Sequence, residues 1–247
     1  MNASSTTLDR VPQLKEAWEE KAVLREIYCD YYQRIKAELI PGLTLEVGSG
    51  CGSFKQELGD VITTDIVRSS WIDSVADAQA LPFKAGTIFN IIMVDVLHHL
   101  GNPLAFLKEA SRVLTIGGKL ILLEPAITPI SLFFYHFFHP ERVDFSYQPH
   151  HDFRPAKSDN PFDGNQAIPT LLFGKYESFL SSSLPEFQLT KKERLSFVAY
   201  PLSGGYRHWS LVPAKLVKSI LHVERKLEKV LGPLSAFRIL VVLSRSE

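Results

Sequence analysis

The sequence predicts an α/β fold built on a doubly wound, mostly parallel sheet, and three observations carry that prediction. Short apolar runs bounded by turn residues recur through residues 43–124, a helical period separates the last two of them, and the first runs straight into a glycine-rich turn. Strands that are apolar throughout, without alternation, are those covered on both faces, as in parallel sheets flanked by helices. Strand–helix–strand units repeated in this way place a ligand at the carboxyl ends of the strands, where the chain order switches sides.

The elements follow in order. Residues 13–40 set Leu14, Trp18, Leu24, Ile27, Tyr28, Tyr31 and Ile35 at three- and four-residue intervals, a helical arm that Pro41 and Gly42 stop. Strands are expected over 43–47, 61–64, 89–94 and 119–123. Between the last two, a helix starts near Pro103, carries Leu104, Leu107 and Leu114 on one face, and is expected to end at Gly117-Gly118. Beyond Glu124-Pro125 the pattern loosens into an aromatic, histidine-rich stretch and a loop over 149–169, then a helix over 170–182. Late strands at 187–198 and 237–243 flank an amphipathic helix marked by Leu216, Val217, Ile220, Leu221, Leu227 and Val230. The expected organisation is one domain over 1–247: an N-terminal helical arm (1–42), a cofactor-binding half (43–124), and two insertions (125–167 and 199–234) forming a substrate lid.

Composition narrows the class of partner. Lysine plus arginine equals aspartate plus glutamate at 27 each, which leaves no excess charge for a polyphosphate backbone, so nucleic acid is not expected as a partner. Residues 1–10 lack the apolar stretch of a secretory signal and the aromatic run 132–138 is too short to span a bilayer, so no integral membrane contact is expected. With two cysteines, Cys29 and Cys51, no disulfide framework is implied and a cytoplasmic location is expected. The pattern specifies no oligomeric state.

The chemistry begins at Leu45-Glu46-Val47-Gly48-Ser49-Gly50-Cys51-Gly52, where a strand enters a turn whose glycines allow close backbone approach to a ligand. A dinucleotide fingerprint would place its third glycine at position 53, but Ser53 stands there and the glycine falls at Gly52, which favours a different adenosyl ligand. Asp65 ends the second strand, where a carboxylate can accept both hydroxyl hydrogens of a ribose; a helix cap or surface acid is the plainer alternative.

Taken with Asp77-Ala78-Gln79-Ala80-Leu81-Pro82-Phe83, Asp95-Val96-Leu97-His98-His99-Leu100 and Ala110-Ser111-Arg112-Val113-Leu114-Thr115-Ile116-Gly117-Gly118, the chain resembles the type 11 family of class I methyltransferases over roughly residues 43–124. The resemblance implies a Rossmann-like sheet of seven strands with the last antiparallel, and S-adenosylmethionine as cofactor. It implies that Glu46 lies near the methionine amine, that Gly48, Ser49, Gly50 and Gly52 form the loop, that Asp65 and Ile66 meet the ribose, that Asp77 and Ala78 meet the adenine, and that Asp95 lines the pocket. Ser49 and Thr115-Ile116 depart from the usual family residues without touching the glycines. Neither Asn-Pro-Pro-Tyr nor Pro-Cys stands at 95–98, which disfavours base methylation and leaves a small organic acceptor, with oxygen as the favoured atom.

A sulfonium methyl is already activated, so alignment supplies much of the rate and a base is needed only for an acidic nucleophile. His98 and His99 follow strand four and are the candidate bases, His98 first; the plainer alternative is that one caps a helix and the other packs. Phe134, His136, Tyr206, His208 and Trp209 are the expected wall of the acceptor pocket. No metal is expected, since His136, His139, His150, His151 and Asp152 lack ligand spacing. Two rival functions are a nicotinamide-dependent oxidoreductase, which would need the missing glycine at 53, and a methyltransferase fold that binds without turnover.

Overall fold

The structure is a computed structural model that describes residues 7–139, 141–149 and 163–247. The apolar runs form β1 (Thr44–Val47), β2 (Ile62–Asp65), β3 (Ser74–Val75), β4 (Ile88–Val94), β5 (Leu114–Pro125), β6 (Phe187–Leu195) and β7 (Arg238–Arg245). They make one seven-stranded sheet in the order β3-β2-β1-β4-β5-β7-β6. The pairs from β3 to β5 are parallel, while β7 runs antiparallel to both β5 and β6. β1 lies between β2 and β4, so the order reverses at β1 and opens a crevice beyond its carboxyl end.

Successive side chains of a strand point to opposite faces, and the two cores divide accordingly. Leu45, Val47, Ile91, Met93, Leu120, Leu122 and Val241 join one core with Leu104, Leu107 and Ala110 of α4 (Pro103–Val113). Ile92, Ile121, Leu123, Leu240 and Val242 join the other, with Leu24, Ile27, Tyr31 and Ile35 of α2 (Ala22–Lys36) and Val217 and Leu221 of α9 (Ala214–Ser235). Each fully buried Ile or Leu contributes roughly 1.5–3 kcal/mol relative to exposure, so the choice of face is strongly determined.

Four expectations change. The N-terminal arm is two helices, α1 (Thr7–Glu20) and α2, broken at Lys21, whose extended backbone turns its ammonium toward the carbonyls of Ser203, Gly205, Arg207 and Trp209 at 2.6–2.9 Å. Helix α4 ends at Val113, not at the glycines: Gly117, at φ +79°, lies inside β5 where the register with β4 shifts between Ile88 and Asn90, so it serves a bulge. The helix expected over 170–182 is α6 (Ile168–Thr170) and α7 (Glu177–Ser183), separated by a wide turn over Leu171–Lys175 with Phe173 out of helical geometry. The fourth concerns the insertion 199–234. Only its first part, α8 (Ala199–Ser203) and the loop to residue 213, supplies Tyr200 and Tyr206 to the groups around Asp95; α9 packs Val217 and Leu221 into the core beside α2, while Leu216, Leu227 and Val230 of the expected stripe stay exposed. Ion pairs clamp α9 to α2: Arg34 binds Glu228 through both oxygens, at 2.9 and 2.7 Å, and Arg225 binds the buried Asp30. No helix among the described residues is long and apolar enough to cross a membrane.

Candidate active site

The glycine turn hangs from β2. Gly48 N and Ser49 N donate to Thr64 O at 2.8 and 3.0 Å, and Gly50 N donates to Asp65 Oδ2 at 2.8 Å. Gly48, at φ +74°, leaves no room for a side chain: a Cβ there would lie 2.3 Å from Val96 Cγ2. Gly50, at φ +50°, is the opposite case, with nothing within 4 Å of its Cβ position, so the turn presents bare backbone to open space. Trp71 closes the far side, its indole donating to Gly50 O at 2.9 Å. The helix after the turn is α3 (Ser53–Leu58).

The acids around this turn differ in what they have left to offer. Glu46 is buried, and its Oε2 has no hydrogen-bond partner among the described residues. Burial, with the charge of Asp65 adding to it, pushes its carboxyl up to about 8. Asp65 also accepts from Val67 N at 2.8 Å, so each of its oxygens holds one backbone bond and retains a further acceptor site. Ile66 beside it is exposed. Asp77 is exposed and accepts from Gln79 N at 2.8 Å, with Ala78 buried behind it.

Asp95 closes β4 in the left-handed region at φ +58° and is held from two sides. Tyr28 of α2 donates to Oδ2 at 3.0 Å, and Arg238 at the start of β7 bonds both carboxylate oxygens. Arg238 is buried and stacks 4.2 Å from the ring centroid of Tyr200. Strain at Asp95 is therefore held in place by a buried ion pair.

The histidines correct the expectation of a free base. His98 is buried in the turn Leu97–His99, with Nδ1 2.6 Å from Glu124 Oε2 and Nε2 3.3 Å from Glu141 Oε2. Burial alone would lower its pKa, but the two carboxylates reverse this and raise it, while Glu141 is held below the usual carboxylate range against its own burial. Both ring nitrogens face carboxylates, so His98 is not placed as a free base. His99 lies beside it with ring centroids 4.1 Å apart.

The residues expected to wall the acceptor pocket separate. Tyr206 packs on Tyr28 at 5.7 Å, next to Asp95, and Phe134 packs on Phe237 at 5.2 Å, next to Arg238. His136 and His208 are exposed and Trp209 is 42% exposed, because each lies on the outer side of its segment. The two insertions do meet: Arg207 donates to Phe138 O at 2.6 Å, linking the loop after α8 to the end of α5 (Pro129–Phe138). His150, His151 and Asp152 lie outside the described residues. Sequence reasoning missed Tyr28, Glu124, Glu141, Tyr200 and Arg238. A signal existed for Glu124 and Arg238, each a lone charge at the end of an apolar run.

With this geometry in place, the comparisons show what the chain is similar to. The profile of the methyltransferase-domain family, type 11, matches residues 45–122, the stretch from β1 into β5 that holds the glycine turn and the acids Glu46, Asp65, Asp77 and Asp95. Over these residues the chain is similar to this family, and the match ends within β5. An uncharacterized protein of Methanocaldococcus jannaschii is 30% identical over 104 residues, covering 39% of this chain and 51% of the relative. The chain thus spans about half the length of the curated relative that it matches. Among solved structures, a possible histamine N-methyltransferase from Thermotoga maritima aligns with a TM-score of 0.56 at 16% identity, covering 93% of this chain and 95% of its own. A SAM-dependent methyltransferase from Archaeoglobus fulgidus aligns at 0.54 and 13%, covering 90% and 94%. A methyltransferase from Haloferax volcanii, solved with the Trm112 activator, aligns at 0.53 and 11% over the whole of both chains. At these identities the likeness is one of fold, and the methyltransferase domain has the seven-stranded sheet that the sequence implied.

Proposed function

We propose that the chain transfers a methyl group from S-adenosylmethionine to a small organic acceptor, at oxygen, in a cytoplasmic setting. The observation that carries this reading is Glu46: a buried carboxylate with an unpartnered oxygen, beneath a turn of bare backbone, is costly unless a cationic ligand group reaches it. The residues fit the cofactor's polar groups. Glu46 would hold the methionine ammonium, Asp65 would use its remaining lone pairs for the ribose hydroxyls with Ile66 alongside, and Asp77 with Ala78 would border the adenine. When bound, the cofactor supplies an activated methyl on sulfur.

The chain's own part is alignment. Arg238 and Tyr28 hold Asp95 at the end of β4, where it would line the crevice, and Tyr206 of the second insertion packs on Tyr28. With His98 committed to two carboxylates, proton loss from the acceptor goes to solvent or another group, and rate comes chiefly from positioning. Lids over this edge would come from the described parts of the first insertion, residues 125–139, 141–149 and 163–167, and from 199–213.

Calorimetry with S-adenosylmethionine, S-adenosylhomocysteine and NAD tests the cofactor, and transfer of a labelled methyl to a panel of hydroxylated acceptors tests the reaction. Binding of NAD alone would sink the reading. Cofactor binding with no transfer to any acceptor class would favour a fold that binds without turnover.

A further inference from the structure

The cluster behind β4 is not used by the alignment just described, and its construction is that of a ligand set. We infer that His98, His99 and Glu141 form a binding site for one divalent first-row transition-metal ion, with Glu124 and Gln166 as its orienting partners. One ligand atom from each of the three residues falls within 4.8 Å of the others. Two imidazoles and one carboxylate suit zinc, cobalt or ferrous iron, and three protein ligands leave coordination positions open.

The second layer of bonds supports this. Glu124 takes His98 Nδ1 at 2.6 Å and is itself fixed by Val96 N and Leu97 N at 2.9 and 2.8 Å, so the ring can only present Nε2 toward Glu141. A carboxylate on the far nitrogen of a histidine is the usual companion of a metal-ligating imidazole, because it sets the tautomer and raises basicity. Gln166 Nε2 likewise donates to Glu141 Oε2. The frame that carries Glu141 is bonded to the histidine turn: Asn165 N donates to His98 O at 2.9 Å, and Gln166 N to Arg142 O at 3.1 Å. At Gly164 a Cβ would lie 2.8 Å from both His98 Cδ2 and His99 Nδ1, so glycine is what lets this chain segment close against the two rings.

Only two residues, Val96 and Leu97, separate Asp95 from His98 along the chain. An ion there would offer its open positions to an acceptor with oxygen donors, a hydroxyl or carboxylate; this role, unlike the binding itself, rests on the methyltransferase reading. The full chain, stripped with chelator and reloaded with cobalt(II) or zinc(II), provides the test. The expected result is one ion per chain by elemental analysis, with a cobalt spectrum of nitrogen ligation. Affinity should fall at least tenfold in His99→Ala and Glu141→Gln, about ten- to a hundredfold in Glu124→Gln, and not at all in His136→Ala. Folding of each variant is checked by circular dichroism; His99→Ala, whose ring is only half-buried, provides the readout if Glu124→Gln fails to fold. Absence of stoichiometric uptake, or uptake in folded His99→Ala and Glu141→Gln equal to wild type, overturns the inference. Metal uptake without binding of S-adenosylmethionine would instead overturn the cofactor reading and leave the site standing.

Discussion

Glu46→Gln isolates the cost of keeping a carboxylate under the glycine turn. In the folded protein the Glu46 carboxyl is pushed up to about 8, against an ordinary value of 4.5. The folded state therefore holds a proton that the unfolded chain releases between those two values, and stability falls as pH rises through that window. Each unit of displacement is about 1.4 kcal/mol, so the loss accumulated between pH 4.5 and 8 is roughly 3 to 5 kcal/mol. Glutamine keeps the shape and does not titrate. Urea denaturation of both proteins without ligand should therefore give similar midpoints near pH 5 and a variant progressively more stable than wild type toward pH 8. Cofactor binding should move the other way: a ligand ammonium ionises Glu46, so wild-type binding near pH 7 releases close to one proton, seen as a calorimetric enthalpy that changes with the buffer. The glutamine variant should bind more weakly and lose that component of the buffer dependence. A stability difference that is flat from pH 5 to 8 would mean that Glu46 is already ionised in the free protein, and the argument for a cationic ligand at Oε2 would fail.

Further outcomes follow from the same geometry. Asp65→Ala should weaken S-adenosylmethionine binding by about 1.5–3 kcal/mol in calorimetry, since it removes a charged acceptor and frees Gly50 N from its anchor; wild-type affinity would exclude the ribose role. Asp95→Asn, which tolerates the left-handed backbone, leaves Arg238 buried without its counter-ion and should cost about 3–5 kcal/mol in chemical denaturation. His98→Gln, measured with chelator present, should destabilise on a similar scale. Because the pKa of His98 is raised from 6.5, the wild-type contribution is fully present below that unfolded value and is lost progressively as pH climbs from it through the raised one. The pH–rate profile should accordingly show no limb near 6 to 7 from His98; one that vanishes in His98→Gln would contradict the committed-nitrogen geometry. Gly48→Ala should abolish cofactor binding while α2 and α9 remain folded by circular dichroism, because the added methyl meets Val96.

Six of the seven strands, the glycine turn and Asp65 are legible in local pattern: apolar runs of strand length, a turn that favours glycine, an acid at a strand end; β3, two residues long, leaves no such run, and Glu46, Asp77 and Asp95 are singled out by the family resemblance. Glu46, Gly48, Gly50, Asp65 and Asp95 stand about one crevice because consecutive parallel strands end at the same edge. Tertiary structure alone decided what those groups are free to do. Asp95 is tied to Arg238, 143 residues away, His98 to Glu124, 26 away, and Lys21 to carbonyls more than 180 away. The amphipathic stripe of α9 is visible in sequence, but which of its residues are buried depends on the surface left uncovered beside α2, which takes Val217 and Leu221 and leaves Leu216, Leu227 and Val230 exposed. Protonation follows the same division: a histidine after β4 can be read from the chain, whereas its charge is set by burial and by two carboxylates that non-local strand and loop packing bring to its ring.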